Sequence, residues 1–400
     1  MLSFSFDPIV NDTARAFFGI DAMYFAIAAI GLNVQFGYTG LLNFGQSAFM
    51  LLGAYGFAIS ITQGWPLVVA ILVGLLVAFV FALVLGVPTL KLRGDYLAIV
   101  TISAAEIVRY VGRSVGYEKL FNLTGGAQGI PGSRYRGPFT DLSPFGSGNT
   151  VILSFNYTDV AGGSVVVRLL GWAVVIGLIW TAVRIGRGKM SLEGSARRIA
   201  IVGISVLTVL VVFFLAPTGQ QNTGVDGWWF TFIAWVLVAI SLLIVMGLTK
   251  SPWGRALRGV REDEDAMRSL GKNVFAIKMQ ALVIGGLFGA IGGMMYVLPA
   301  TVQPDSLGRS ITFFCYTALL LGGAATLWGP VLGTLIFFMG RILIISVANT
   351  YLSSDEYINI MNGQQTSQFA FIVVGVALML LVIFRPQGIL GDKRELRFNV

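Results

Sequence analysis

Apolar residues run in blocks of 15 to 25 along the chain, all but the ninth long enough for a bilayer-crossing helix, and the blocks are parted by polar stretches. Spans are expected near 17–36, 42–62, 66–87, 96–115, 164–183, 199–216, 228–248, 274–298, 311–325, 330–348 and 368–384. The pattern therefore predicts an all-α polytopic membrane protein of about 11 spans, with 10 the alternative count. Glycine and polar residues interrupt the first and ninth blocks, which leaves a re-entrant hairpin open at each. The run GGLFGAIGG places Gly285, Gly289 and Gly293 on one helical stripe. Small residues there let helix backbones approach closely, and packing is the preferred reading of that stripe.

The most polar interruption is SPWGRALRGVREDEDAMRSLGKN, residues 251–273. It predicts an amphipathic helix lying along one membrane face. Pro252 suits the first turn and Gly271 the left-handed terminator. Leu257, Val260, Met267 and Leu270 fall on one side. On the other, Arg255, Arg258, Arg261 and Arg268 alternate with Glu262, Asp263, Glu264 and Asp265, offering both charge signs to a partner. A docking surface and a merely solvated connector are both compatible with this pattern.

Orientation follows from Lys and Arg, which accumulate in cytoplasmic loops. Segments 88–95, 184–198, 249–273 and 385–400 hold 17 of the 27 basic residues, and all four fall on one side of the predicted map. The amino end, 116–163, 217–227, 299–310 and 349–367 fall on the other. The amino terminus is thus expected outside and the carboxyl terminus in the cytoplasm. The 116–163 loop, rich in Gly, Ser, Asn, Thr and Pro, reads equally as a folded cap or as a linker. The amino end has no basic region ahead of its first apolar run, so the first span is expected to remain as an anchor.

Composition agrees with the span map: 56% of residues are hydrophobic, 12% are charged and mean hydropathy is +0.81. The net charge of +8 needs no nucleic-acid partner, because the excess sits where anionic inner-leaflet lipid attracts it. There is no histidine and one cysteine, Cys315. That excludes a disulfide, imidazole or paired-thiolate metal sites and the usual nucleophilic triads. GRGKMS, residues 186–191, falls short of a phosphate-binding loop, so no catalytic residue, metal or cofactor is expected and ATP is not hydrolysed by this chain itself.

Two groups of residues are out of place in lipid. Glu106 lies deep in the fourth span with Arg109 three residues on; it pairs either with Arg109 or with Arg341 of the tenth span, as a structural tie or beside a polar passage. Thr101 and Ser103 add hydroxyls nearby, which in a membrane helix often bond back to their own backbone. In GLNVQFGYTGLLNFGQSAFMLLGAY, residues 31–55, Asn33, Gln35, Asn43 and Gln46 interrupt apolar sequence. Amides suit either a zwitterionic solute path or hydrogen bonds between helices.

Taken with LRGDYLAIVTISAAEIVR, LTGGAQGIPG, GGAATLWGPVLG and FRPQGILG, these segments resemble the permease subunit of branched-chain amino-acid ABC importers, the LivM type, in the larger family that includes ribose-type and urea-type permeases. The resemblance implies one importer transmembrane domain over 1–400 in the inner (plasma) membrane of a bacterium, with 249–273 as the cytoplasmic coupling loop. DAMRSLG, residues 265–271, is similar to a degenerate E-A-A-x-x-x-G motif. By that likeness Arg255, Arg258, Arg261, Glu262, Asp265 and Gly271 would dock on an ATP-binding subunit. Implied partners are a second related permease, two ATP-binding subunits and an extracytoplasmic solute-binding protein that delivers Leu, Ile or Val. Urea, short amides and other amino acids are the alternative solutes, and an ion-coupled secondary transporter is the alternative class. Residues 184–198 and 350–367 depart from the family's pattern.

Overall fold

A computed structural model describes residues 19–91, 94–113, 123–142, 228–352, 363–384 and 387–391, together with Thr13 and Ala16. The contacts below lie in the unit formed by Met1–Gly148 and Trp229–Val400. The expected spans at 164–183 and 199–216, and most of the 116–163 loop, lie outside the described residues.

The described residues are helical apart from turns and one isolated antiparallel bridge, Ile130 with Val302. Among the described residues, five helices are long and apolar enough to cross a membrane. The chain is an all-α membrane protein.

Helix α1 (Ile20–Leu32) is buried on nearly every side, as befits a helix apolar all round. It continues as a six-residue π-helix, Asn33–Tyr38. From residue 20 on, the first expected span is therefore one continuous helical segment with no hairpin inside it. Residues 39–45 leave the helix, and α2 (Gln46–Thr62) starts four residues later than the block at 42–62 predicts. There the Gly40 and Leu41 N–H groups donate to the Phe36 and Gln35 carbonyls, and the Phe44 and Gly45 N–H groups donate to Thr101 Oγ1 and Asn43 Oδ1.

Helix α3 (Leu67–Thr89) shows how a membrane helix inverts the soluble rule. Ala70, Gly74, Ala78 and Ala82 are buried at four-residue spacing, whereas Val68, Leu72, Leu76 and Val84 are each more than half exposed. Small residues pack and large apolar ones face the hydrocarbon. Then follow α4 (Gly94–Arg113), the one-turn α5 (Gly137–Thr140) and α6 (Trp228–Lys250).

The charged block forms two helices, α7 (Pro252–Glu262) and α8 (Glu264–Ser269), rather than the single one expected. Asp263 breaks them at φ −156°, ψ 108°, and its carboxylate accepts from the backbone N–H of Asp265 (2.9 Å) and Ala266 (3.0 Å). An aspartate that satisfies two orphan donors is a better helix start than a helix interior.

Helix α9 (Val274–Val297) packs on α1 and α2 through the predicted glycine stripe. A Cβ at Gly285 would fall 2.5 Å from the Gly31 carbonyl oxygen, and one at Gly293 would fall 2.0 Å from that of Met50. Packing is what these glycines do. The far end of α9 is capped by Tyr135 and Arg136, just after the LTGGAQGIPG segment. The Tyr135 hydroxyl donates to the Val297 (2.6 Å) and Ala300 (2.9 Å) carbonyls, and Arg136 Nε donates to that of Leu298 (2.7 Å). These side chains satisfy carbonyls that a helix end leaves unpaired, and the guanidinium suits the negative end of its dipole.

The ninth span is as short as its 15-residue block implies. Helix α10 (Arg309–Gly322) has 14 residues, about 21 Å at 1.5 Å per residue. That is short of the about 30 Å of hydrocarbon. Gly323 (φ 111°) and Ala325 (φ 63°) turn the chain into α11 (Gly329–Leu352), and α12 (Gly363–Phe384) follows. The FRPQGILG turn then seals the end of α10: Ile389 and Leu390 donate their N–H groups to the Leu321 and Gly322 carbonyls, each at 3.0 Å.

Candidate functional site

The arm formed by α7 and α8 grips the bundle by one face. Leu257 and Val260 are buried, and Trp253 Nε1 donates to Gln280 Oε1 of α9 at 2.8 Å. Lys278 of α9 forms an ion pair with Glu264. Leu270, expected on the gripping side, is 73% exposed instead, because the break at Asp263 rotates α8 away from the register of α7. Gly271 takes φ 73°, as its place at a helix end requires.

The other face is open. Arg255, Arg258, Glu262, Asp265 and Arg268 are exposed, and Arg268 pairs with Asp265 (3.0 Å) and Glu264 (3.5 Å) along α8. Arg261 does not join them. It turns inward, and its Nη1 donates to the Gly37 carbonyl in the π-helix at 2.6 Å. Arg258 sits over the Tyr38 ring with Cζ 5.7 Å from the centroid. The arm thus rests on the irregular end of the first helix.

Beneath it the four amides are interlocked. Asn33 Nδ2 donates to the Thr326 carbonyl and Asn33 Oδ1 accepts from the Ala325 N–H, each at 2.8 Å. Gln35 Nε2 donates to the Leu282 carbonyl (3.0 Å), and its Oε1 accepts from Asn43 Nδ2 (2.8 Å). Asn43 Oδ1 accepts from the Gly45 N–H at 2.8 Å, and Gln46 Nε2 donates to the carbonyls of Gly285 (3.1 Å) and Ala28 (3.3 Å). All four are at most 1% exposed. Thr101 Oγ1 accepts from the Phe44 N–H at 3.0 Å and bonds back to Ala98 at 2.8 Å, while Ser103 only bonds back, to Ile99. In this conformation the amides brace helices against each other, which main-chain groups in an apolar interior require.

At the opposite end lies a charge cluster. Glu106 Oε2 is 2.7 Å from Arg109 Nη2, and its Oε1 is 3.0 Å from Arg309 Nε. Arg109 also pairs with Asp305, whose other oxygen is 3.7 Å from Arg113 Nε. The alternative partner of Glu106, Arg341, is elsewhere: its guanidinium stacks over Phe371 of α12 at 4.9 Å. Asp305 and Arg309 were not among the residues singled out from the sequence. Their only local signal is an acid and a base four residues apart at the start of α10. The cluster ties α4 to α10, and it engages the one carboxylate deep in a span among the described residues.

The bridge between Ile130 and Val302 joins two segments, 116–163 and 299–310, that the Lys and Arg distribution puts on the same side.

Comparison with known proteins agrees with this architecture. A family model described as branched-chain amino acid transport system / permease component matches residues 16–219 and 218–384. The high-affinity branched-chain amino acid transport system permease protein LivM of Escherichia coli K12 is 28% identical over 375 residues, 93% of this chain and 69% of the relative. A probable branched-chain amino acid transport permease protein LivM of Methanocaldococcus jannaschii is 27% identical over 42% of this chain and 48% of the relative. The L-arabinose transport system permease protein AraH of E. coli K12 is 28% identical over 39% of this chain and 45% of its own length. No solved structure matches. The chain belongs to the family of permease components of branched-chain amino acid transport systems.

Proposed function

We propose that this chain is the membrane-spanning permease of an ATP-driven importer for branched-chain amino acids. The observation that carries this reading is the arm. It is held by a buried apolar face and an ion pair, it presents exposed charges of both signs outward, and it touches an irregular helix within the bundle. An element built in that way can take up a partner's movement and pass it on.

On this reading the amino end faces out and the arm faces the cytosol. Arg255, Arg258, Glu262 and Asp265 meet one of two ATP-binding subunits, with Gly271 letting the chain turn back into α9. A second related permease completes the pathway, and an extracytoplasmic protein delivers Leu, Ile or Val. The solute class rests on what the relatives are named for. Ion coupling would need a carboxylate free to bind a cation, and Glu106 is held by two guanidinium groups.

In right-side-out vesicles kept supplied with ATP, leucine uptake is expected to continue when a proton ionophore collapses the gradient. Uptake that stops with the ionophore would make the chain a secondary transporter. Uptake of arabinose or urea but not leucine would move the solute class and leave the ATP coupling in place.

A further inference from the structure

We propose that Asn33 is a positioning residue for transport: it relays movement of the α7–α8 arm to the break between α10 and α11. The proposal rests on the coupling reading above and adds the route inside this chain.

The route has no gap. Arg261 of the arm holds the Gly37 carbonyl at 2.6 Å. A Cβ on Gly37 would lie 2.0 Å from Asn33 Oδ1 and 2.6 Å from the Ala325 nitrogen. Gly37 therefore touches the very hydrogen bond by which Asn33 holds Ala325. That bond and its companion to the Thr326 carbonyl, each 2.8 Å, fix the turn after α10. Any shift of Gly37 along the chain's axis displaces the Asn33 carboxamide, since there is no space between them to absorb it.

Both ends of this route depart from regular backbone. A π-helix carries a wider turn than the α-helix it continues, and such segments are frequent at functional sites. Asn33–Tyr38 is one. At the other end, Ala325 is the only non-glycine residue with positive φ among the described residues, at 63°. The left-handed region is unfavourable for alanine, and such strain persists only where neighbours hold it. Asn33 supplies that hold. Thr326 Oγ1 joins the same turn to α11 by accepting from the Gly329 N–H at 3.0 Å, so a relaxed Ala325 would re-aim the start of α11. Coupling between sites needs a contiguous contact and a two-state element; the contacts above supply the first, and the second is assigned by this proposal to the π-helix and the strained turn.

The test uses the complete complex with its ATP-binding subunits and distances between spin labels. One label pair joins the arm to a fixed reference, Ser269→Cys with Thr62→Cys. The other joins the break to the same reference, Trp328→Cys with Thr62→Cys. Both pairs are read in a Cys315→Ala background, and the labelled sites are exposed. Nucleotide trapped with vanadate is expected to shift both distances in the parent. In Asn33→Ala the arm's shift remains and the break's shift falls at least about fivefold, because the population bias no longer reaches it. A residue that merely braced the fold would lower stability and leave both shifts in proportion.

Ala325→Gly guards against an Asn33 variant that does not assemble. It keeps the hydrogen bond and removes the left-handed strain, so the described form is favoured and about tenfold less of the break converts at a given nucleotide concentration. Parent-like movement of the break in both variants overturns the relay while leaving the coupling reading intact. An arm that ignores nucleotide in the parent overturns both.

Discussion

Reversal of Arg255 and Arg258 to glutamate is expected to leave the protein inserted in the membrane and to abolish stimulated ATP hydrolysis in the reconstituted complex. Both side chains lie on the exposed face of α7, whose attachment depends on Leu257, Val260 and Trp253 on the other face. The helix therefore keeps its seat. What changes is the sign of the potential it presents, a swing of four charge units across one turn of helix. Like charges brought together at an interface cost several kcal/mol, enough to reduce docking at least about tenfold. Arg258 also stacks on Tyr38, so the double variant alters one contact inside the chain. Arg255→Glu alone avoids that contact and is expected to lose a large part of the activity. ATPase stimulation measured beside the assembled subunit ratio checks the result, and normal stimulation in the double variant would remove the arm from the interface.

The second large effect lies in the bundle. Gly293→Leu is expected to destabilise the protein by on the order of 3 kcal/mol, since overpacking of this kind cannot be relieved by a rotamer change. A Cβ there would fall 2.0 Å from the Met50 carbonyl oxygen and 2.6 Å from the Met50 Cα, both rigid backbone atoms of α2. The helices must part, and a parted interface in lipid also loses the close contact that holds membrane helices together. Gly340→Leu is the matched control, because nothing lies within 4 Å of a Cβ at that position. Thermal unfolding in detergent should show a large drop for the first and a small change for the second.

The elements that were legible in advance are those whose cause is local. Apolar runs long enough to span lipid appear as α3, α6, α9 and α11, and Pro252 and Gly271 bound the arm as their backbone preferences require. The glycine stripe on α9 was readable because three small residues at four-residue spacing have one simple use in a bilayer.

What was not legible depends on partners distant in sequence. Nothing local in Asn33–Tyr38 distinguishes a π-helix from an α-helix; the wider turn is set by contacts to Leu282, Ala325 and Thr326, some 250 to 290 residues away. Arg261 looks like its neighbours Arg255 and Arg258, and only the position of Gly37 draws it inward. Glu106 had two possible arginines by sequence, and the choice was made by the fold, which brings Arg309 and Asp305 to α4 and leaves Arg341 against Phe371. The break at Asp263 is the exception, since an aspartate followed by two more acids is a helix-start signal that the continuous charge pattern concealed.

The central claim is that the arm faces the cytosol, where a nucleotide cycle can reach it. Ser269→Cys in a Cys315→Ala background tests this most directly, because Ser269 is exposed on α8 and Cys315 is buried. A membrane-impermeant thiol reagent should label it in inside-out vesicles and leave it untouched in intact cells. Labelling from the outside of intact cells would invert the topology and contradict the account.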